Sequence, residues 1–325
     1  MLYYEKKVLL TRKLHDFALM DLKKYYDIEI HQGKIPMPKK TLLKKIRNKD
    51  GLICFPYDNI DKDVLSAAKK LKTISTYSVG YDHIDVKYAK KQGISIGYTP
   101  EVLTDATADL TFALILDLLR RVTEGDKIIR KGRWTHLYGA YDYVGTDISG
   151  KILGILGFGR IGAAVAKRAK AFGMNIIYHN RHRLSKNTEK SLGVKYVTFD
   201  QLFKKSDIVS IHVPYTKETH ELVDMKLFKK MKKSSFIINT ARGKIIKEND
   251  LVYALKKKII AGAALDVFRN EPIGLNNPLT KMQNVVLSPH IGSSTAETRK
   301  KMAEITVINL KLGMIGKTPL YSVNS

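Results

Sequence analysis

Cysteine is nearly absent from this chain of 325 residues, since Cys54 is the only one. A single cysteine excludes an internal disulfide and any metal cluster built on cysteines, so we predict no metal site and a reducing compartment. The chain also lacks a run of about eighteen apolar residues, which argues against a membrane span. Its first residues do not form the apolar stretch of a signal peptide. We therefore expect a cytoplasmic protein.

Acidic residues are scarce relative to basic ones: 31 Asp and Glu stand against 57 Lys and Arg, which gives a net charge of +26. Such an excess suggests a nucleic-acid partner. The lysines, however, are scattered in pairs such as Lys229 with Lys230, and no zinc finger or aromatic-basic motif accompanies them. A solvated lysine-rich surface is the favoured interpretation, so we expect no nucleic-acid partner in spite of the charge. The positive field can still attract small anions.

The best-defined motif is a glycine-rich turn between a predicted strand and a predicted helix. Residues 151–156 are rich in Ile and Leu and predict a buried strand. Gly157, Gly159 and Gly162 follow in Gly-x-Gly-x-x-Gly spacing, and the chain continues as a helix to residue 172. The first glycine permits a tight turn, the second lets backbone approach a pyrophosphate, and the third lets helix and strand pack closely. Because a second strand is predicted at 174–179, this unit predicts a dinucleotide-binding site.

Strand and helix patterns alternate along most of the chain, which predicts an α/β fold with two parallel-sheet domains. Residues 1–99 predict the first segment of a smaller, flavodoxin-like substrate-binding domain. Residues 100–289 predict a Rossmann-type, doubly wound dinucleotide-binding domain with seven strands and a long interdomain helix at 104–120. A last amphipathic helix has no strand of its own, so residues 290–325 are expected to return to the substrate-binding domain.

Three polar side chains follow successive predicted strands of the second domain. Arg242 lies in the turn after one strand, Glu271 in the loop after the next, and His290 just after the third. Open α/β sheets bind ligands at this edge, where the strands end. An arginine can bind a carboxylate with two hydrogen bonds, and a histidine paired with a glutamate can transfer a proton near neutral pH. Each residue alone also fits a surface charge or a structural cap.

Together these residues resemble the D-isomer-specific 2-hydroxyacid dehydrogenases. The matching stretches are residues 102–109, 156–162, 239–243, 266–272 and 288–292, and the resemblance runs from about residue 51 to 314. Within that family the chain is most similar to glyoxylate/hydroxypyruvate reductases, on residues 78–85, 103–109 and 178–181. The resemblance implies NAD(P)H-dependent reduction of a small anionic 2-keto acid, glyoxylate or hydroxypyruvate, to the D-2-hydroxy acid by hydride transfer. It leaves the preferred 2-keto acid open.

The resemblance also implies the roles of individual residues. Arg242 holds the substrate carboxylate, His290 donates a proton to the carbonyl oxygen, and Glu271 tunes His290. Substrate contacts are expected at Tyr57 and at the backbone N–H groups of Val79 and Gly80. Besides the three glycines, the predicted cofactor-binding residues are Thr107, Arg160, Ile161, Asn180, Arg181, His182, Val213, Pro214, Thr219, Thr240, Ala241, Asp266 and Gly292.

The end of the second strand of the glycine motif predicts which dinucleotide is used. NAD-specific folds place an acid there, which accepts hydrogen bonds from the ribose 2′-hydroxyl. Here that position is the neutral Asn180, followed by Arg181, His182 and Arg183. Arg181 can meet a 2′-phosphate with charge-assisted hydrogen bonds. We therefore predict a preference for NADP over NAD, with Arg181 as the main discriminator and Arg183 as a secondary one.

Two further expectations concern partners and alternatives. The helix at 104–120 is apolar on most sides, which predicts a homodimer built partly on it.

The alternative functions are a dinucleotide-sensing transcriptional corepressor of the same fold and a dehydrogenase of the D-lactate or D-3-phosphoglycerate type. The main prediction is an enzyme whose partner is a small 2-keto or 2-hydroxy acid. We expect no membrane partner.

Overall fold

The computed structural model describes residues 6–33 and 36–323. The described residues form two compact units, one ending at Leu103 and resuming at Ser294, the other spanning Thr104–Ser293. The predicted boundaries, after residues 99 and 289, both lie four residues earlier. His290 consequently belongs to the same unit as Arg242 and Glu271. The first five residues of the predicted first segment lie outside the described residues.

The first unit contains a five-stranded parallel sheet in the order β2-β1-β3-β4-β5. Its strands are β1 (Lys7–Leu10), β2 (Asp27–Ile30), β3 (Gly51–Cys54), β4 (Thr73–Thr76) and β5 (Ser95–Gly97). Its helices are α1 (Asp16–Lys23), α2 (Lys39–Ile46), α3 (Lys62–Ala67), α4 (Val86–Lys91) and the last helix of the chain, α12 (Ala296–Met314). Because α12 packs against β3, β4 and β5, the C-terminal segment returns to this unit.

The second unit contains a seven-stranded parallel sheet in the order β12-β11-β10-β9-β6-β7-β8. Its strands are β6 (Ile152–Leu156), β7 (Asn175–His179), β8 (Lys195–Tyr196), β9 (Ile208–Ile211), β10 (Phe236–Asn239), β11 (Gly262–Leu265) and β12 (Val285–Leu287). Its helices are α5 (Thr104–Arg120), α6 (Val122–Arg130), α7 (Arg160–Ala171), α8 (Lys186–Leu192), α9 (Phe199–Lys205), α10 (Met225–Phe228) and α11 (Glu248–Lys256). The strand order reverses beside β6, which is the doubly wound arrangement predicted from the sequence.

Alternate residues of the central strands enter two different cores. On β10, Ile237 joins the core under α9, α10 and α11, whereas Ile238 joins the core under α5 and α7. On β9, Val209 and Ile208 divide in the same way. Burial on both faces explains why these strands read as continuous apolar runs rather than alternating ones. The sheet thereby fixes the positions of the loops that leave its carboxyl edge.

Helix α6 was not predicted from the sequence pattern. It begins after Arg121, whose φ of 57° breaks α5, and the Asp117 carboxylate accepts a 2.6 Å hydrogen bond from the Thr123 N–H. None of its nine residues is buried. Only Val122, Ile128 and Ile129 are large apolar residues, and Gly125 lies in the middle of the helix, so the sequence signal for a helix is weak. Across the described ranges, no helix is long and apolar enough to cross a membrane.

Candidate functional site

The glycine-rich turn has the geometry of a phosphate cradle. Gly157 has a φ of 96°, and a Cβ there would lie 2.7 Å from the backbone of His212 and Val213. A Cβ at Gly162 would lie 2.5 Å from the Gly157 carbonyl oxygen. At Gly159, by contrast, a Cβ would meet no atom within 4 Å. The turn is therefore closed on its protein side and open at Gly159.

The open side faces the start of helix α7, which begins at Arg160, one residue after Gly159. The first N–H groups of a helix have no partner within the helix, and they favour a negative charge. Arg160 is exposed and Ile161 half-buried, so both predicted residues lie in this first turn. These residues fit the pyrophosphate of a dinucleotide.

Asn180 is used by the protein in a way that its sequence position did not reveal. Its Oδ1 accepts a 2.6 Å hydrogen bond from the Phe158 N–H, and its Nδ2 donates to the Phe158 carbonyl oxygen at 3.3 Å. Asn180 thus ties the end of β7 to the glycine turn. Arg181, His182 and Arg183, which follow Asn180, are all exposed.

Arg183 is engaged within the protein. Its guanidinium donates two hydrogen bonds of 2.7 Å to Glu189 and lies over the Tyr196 ring, 5.2 Å from the centroid. The Arg183 guanidinium lowers the pKa of Glu189 to about 2. Glu189 takes two of the five N–H donors of Arg183, so this pairing competes with the predicted secondary role of Arg183 in phosphate recognition. Arg183 also fixes the loop that carries Arg181.

Three predicted cofactor residues come together around α5. The Thr111 hydroxyl donates to the Thr107 carbonyl oxygen at 2.8 Å, so it accepts from the Thr240 hydroxyl, which is 2.8 Å away. A Cβ at Gly292 would lie 3.3 Å from the Thr107 methyl group. Thr107, Thr240 and Gly292 therefore lie in one small region. Thr111 was missed from the sequence, because a buried threonine inside an apolar helix gives no distinct signal.

The segment after β9 carries Val213, Pro214 and Thr219. The Thr219 hydroxyl donates to the Pro214 carbonyl oxygen at 2.8 Å and accepts from the Thr216 N–H at 2.7 Å. The segment is therefore a closed loop at the carboxyl end of β9. Beside it, burial lowers the pKa of His212 to about 4, so this histidine is neutral at pH 7. It carries no positive charge toward the glycine turn.

Arg242 and Ala241 are held by Asn239, the last residue of β10. Asn239 accepts a 3.0 Å hydrogen bond from the Ala241 N–H and donates one of 2.9 Å to the Arg242 carbonyl oxygen. Gly243 then packs directly on the backbone of Phe268. Arg242 therefore sits in a turn that is fixed both by its own strand and by the loop after β11.

Glu271 and His290 form the predicted pair. Nδ1 of His290 lies 2.7 Å from Oε2 of Glu271, and Oε1 of Glu271 accepts a 2.9 Å hydrogen bond from the Phe268 N–H. Both side chains are mostly buried, at 25% and 16% exposure. Because the Glu271 carboxylate accepts a hydrogen bond from Nδ1–H, Nε2 is the ring nitrogen that can gain or lose a proton. The pair can thus bind, store and donate one proton.

The His290 loop is organised by the buried Asp266. Its Oδ1 accepts from the Ser288 hydroxyl at 2.6 Å and from the Ile291 N–H at 2.9 Å, while its Oδ2 accepts from the Gly292 N–H at 2.9 Å. His290 has a φ of 53°, which is unfavourable for a residue with a side chain. The three bonds to Asp266 hold that conformation. Asp266 was predicted to bind cofactor, and in the structure its carboxylate positions the loop that carries His290.

The predicted substrate residues Tyr57, Val79 and Gly80 lie in the first unit, at the carboxyl edge of its sheet. Val79 and Gly80 are half-exposed and follow Ser78, whose hydroxyl donates to the Gly80 carbonyl oxygen at 2.6 Å. Since that proton is used, the Ser78 oxygen accepts from the Thr76 hydroxyl, 2.7 Å away. This chain of hydroxyls fixes the backbone around Val79 and Gly80, which suits a backbone anion site.

Comparison with known proteins relates this chain to one family. Residues 112–292 match the family model of the D-isomer specific 2-hydroxyacid dehydrogenase NAD binding domain. A glyoxylate reductase of Thermofilum pendens is 47% identical over 98% of this chain and 94% of its own length. The NADPH-dependent glyoxylate/hydroxypyruvate reductase of Sinorhizobium meliloti, solved with NADP and malonate, superposes with a TM-score of 0.86 at 30% identity, covering 98% of this chain and 96% of that one.

A D-lactate dehydrogenase of Aquifex aeolicus, solved with NAD and lactic acid, superposes equally well. Its TM-score is 0.86 at 29% identity, covering 98% of this chain and 99% of that one. The cofactor is a nicotinamide dinucleotide. This is supported by the glycine turn with its open backbone at Gly159 and by the match to the NAD binding domain of the family. The chain belongs to the D-isomer-specific 2-hydroxyacid dehydrogenase family and is an oxidoreductase of that family.

Proposed function

We propose that this protein reduces a small 2-keto acid, glyoxylate or hydroxypyruvate, to the D-2-hydroxy acid. The observation that carries the proposal is the Glu271–His290 pair, which lies in the same unit as Arg242 and the glycine turn. The glyoxylate reductases at 46–47% identity support the substrate class. These relatives are reductases, which favours this function over that of a corepressor of the same fold.

His290 acts as the proton donor in this proposal. The Glu271 carboxylate accepts a hydrogen bond from Nδ1–H, which fixes the orientation of the imidazole ring. Nε2 then donates its proton to the carbonyl oxygen of the substrate, and Glu271 keeps its hydrogen bond throughout. The Phe268 N–H holds the other oxygen of Glu271, so the carboxylate cannot turn away from the ring.

Arg242 binds the substrate carboxylate. A guanidinium matches a carboxylate with two parallel hydrogen bonds, which orients the substrate as well as binding it. Asn239 and Gly243 fix the backbone on either side of Arg242, so the position of the guanidinium depends on the sheet rather than on a mobile loop. The net charge of +26 further favours an anionic substrate.

Gly157, Gly159, Gly162 and the first turn of α7 would hold the pyrophosphate, and Thr107, Thr240 and Gly292 the nicotinamide end. When bound, the reduced nicotinamide supplies the hydride for the carbonyl carbon. NADP is the preferred dinucleotide in this proposal, because Arg181 and His182 are exposed where a 2′-phosphate would lie. Arg183 keeps a secondary role, since two of its five N–H donors are bound to Glu189.

We also propose a homodimer, with an interface that lies outside helix α5. Helix α5 was expected to expose apolar surface, yet its apolar side chains are covered by α7 and by strands β10 to β12. Exposed apolar side chains cluster instead on residues 121–146, here named the arm. They are Val122, Ile129, Trp134, Leu137, Tyr138, Tyr141 and Val144, with Leu137 85% and Tyr141 95% exposed. The same arm of a second copy would cover them.

The experiment is an assay of NADPH and NADH oxidation with glyoxylate, hydroxypyruvate and pyruvate. Turnover of glyoxylate or hydroxypyruvate is expected in the wild-type protein. His290→Ala should lower kcat by roughly 10²–10⁴, and Glu271→Gln should lower it by a smaller factor, with little change in dinucleotide binding. Full turnover by His290→Ala would overturn the mechanism, and absence of turnover with all three acids would overturn the function.

A further inference from the structure

An arginine in the first unit has fewer hydrogen bonds than its burial requires. Arg12 follows β1 at the carboxyl edge of the five-stranded sheet. Its Nε is buried and, within residues 6–33 and 36–323, has no hydrogen-bond partner. A buried donor left unpaired is costly, and the cost is offset when a ligand brings the missing acceptor.

Aromatic rings, rather than an acid, hold this guanidinium in place. Its Cζ lies 5.4 Å from the centroid of Phe55 and 5.9 Å from that of Tyr57. The neighbouring Asp58 is occupied elsewhere, because it accepts from the Phe55 N–H at 2.8 Å and from the Thr11 hydroxyl. Stacking on rings leaves the edge of a guanidinium plane, where its N–H groups lie, for hydrogen bonds, and such a group binds carboxylates and other oxygen acceptors well.

The position of Arg12 relates it to the proposed substrate residues. Arg12 follows β1, Tyr57 follows β3, and Val79 and Gly80 follow β4, so all three groups lie at one edge of one sheet. Neighbouring strands are about 4.8 Å apart, and only β3 separates β1 from β4, so the two strand ends are about 10 Å apart. An extended arginine side chain and a substrate of three or four carbons can span that distance together.

We propose that Arg12 forms a second subsite for the substrate, which binds an oxygen-bearing group on C3 of the 2-keto acid. That group is a hydroxyl in hydroxypyruvate and a second carboxylate in oxaloacetate, and glyoxylate has no C3 at all. Arg12 therefore determines specificity for the group on C3. The inference rests on the proposed function and adds a specificity determinant to it.

The test compares kcat/KM for oxaloacetate, hydroxypyruvate and glyoxylate in wild-type protein, Arg12→Met and Arg12→Lys. Arg12→Met keeps an unbranched side chain beside the two rings but removes charge and donors. It should lower the oxaloacetate-to-glyoxylate ratio of kcat/KM by about 10- to 100-fold and the hydroxypyruvate-to-glyoxylate ratio by less, because the lost bond to a carboxylate is charge-assisted. Arg12→Lys should retain part of the preference. Lys13→Met, which removes the same charge from an exposed neighbour, should leave both ratios unchanged.

The outcomes separate this proposal from the proposed function. If wild-type protein reduces none of the three acids, the function itself is wrong. If it reduces glyoxylate alone, or if Arg12→Met changes all three values by one common factor, the Arg12 subsite is wrong. Should Arg12→Met fail to fold, the ratios measured for Arg12→Lys decide, and ratios equal to the wild-type values would reject the subsite.

Discussion

Gly243 and Phe268 pack so closely that a Cβ on Gly243 would lie 1.9 Å from the carbonyl carbon of Phe268. The contact joins the two turns that carry the chemistry, because Arg242 precedes Gly243 and the Phe268 N–H holds the carboxylate of Glu271. Since no flexible side chain is involved, one backbone must move if any atom is added here. The distance between Arg242 and the Glu271–His290 pair thus depends on residue 243 having no side chain.

Gly243→Ala should therefore damage catalysis more than binding of the dinucleotide. We expect kcat/KM for glyoxylate to fall by at least about tenfold and the free energy of unfolding to fall by about 1–3 kcal/mol, the usual cost of overpacking. Steady-state kinetics and chemical denaturation measure the two effects. Gly274→Ala is the matched control, because a Cβ there meets no atom within 4 Å. Equal activity of the two variants would show that the turns are not coupled.

Much of the site was predictable because the residues that follow parallel strands all lie at the carboxyl edge of the sheet. Arg242, Glu271 and His290 each follow a buried apolar run, and the glycine spacing marks its own strand and helix. The Gly243–Phe268 contact was not predictable, since a glycine in a turn has no pattern that names its neighbour. Asn180 was placed correctly at the end of β7, but its bonds to Phe158 depend on the exact path of the glycine turn. Helix α6 was not predicted because it is short and has Gly125 at its centre, which weakens the sequence signal for a helix.

The Glu189 cluster predicts a dependence of stability on pH. Glu189 accepts hydrogen bonds from Arg183 and from the Tyr178 hydroxyl, and its pKa is lowered from 4.5 to about 2. Because the pKa in the folded state is the lower one, this carboxylate stabilises the fold fully above about pH 5 and loses that effect as the pH falls toward 2. Glu189→Gln should lower the Tm at pH 7, and the difference from wild type should shrink between pH 5 and 3.

Thermal denaturation at pH 7, 5 and 3 measures this effect. Asp126→Asn serves as the control, because it breaks an exposed pair with Arg130 that is expected to contribute little. A difference in Tm between Glu189→Gln and wild type that stays constant over this range would contradict the linkage.

Cofactor preference should depend on Arg181 more than on Arg183. Removing the exposed Arg181 guanidinium is expected to lower the NADPH-to-NADH ratio of kcat/KM by about 10- to 100-fold, the contribution of a charge-assisted hydrogen bond to phosphate. The measurement is kcat/KM for both dinucleotides in wild-type protein and Arg181→Ala. Lys190→Ala, at an exposed position on α8, controls for the loss of one positive charge. Equal or better use of NADH by the wild-type protein would overturn the proposed preference.

The arm offers a direct test of the dimer. Two contacts join the ends of the arm. The Arg121 guanidinium lies 4.2 Å from the Tyr143 ring centroid, and the Tyr143 hydroxyl donates to the Arg121 carbonyl oxygen at 2.6 Å. The exposed apolar side chains are thus displayed on an ordered surface. We expect the wild-type protein to sediment as a dimer at micromolar concentration and Leu137→Glu to sediment as a monomer, because a charge buried in the interface would be unpaired.

Leu275→Glu supplies the matched control for the arm. Leu275 and Leu137 are equally exposed at 85%, but Leu275 lies outside the arm. If exposed apolar area alone drove association, both glutamates would weaken it, whereas an interface on the arm is sensitive only at Leu137. Sedimentation of the three proteins, with circular dichroism to verify folding, distinguishes the two cases. A wild-type monomer at micromolar concentration would contradict the dimer, and a Leu137→Glu dimer would place its interface elsewhere.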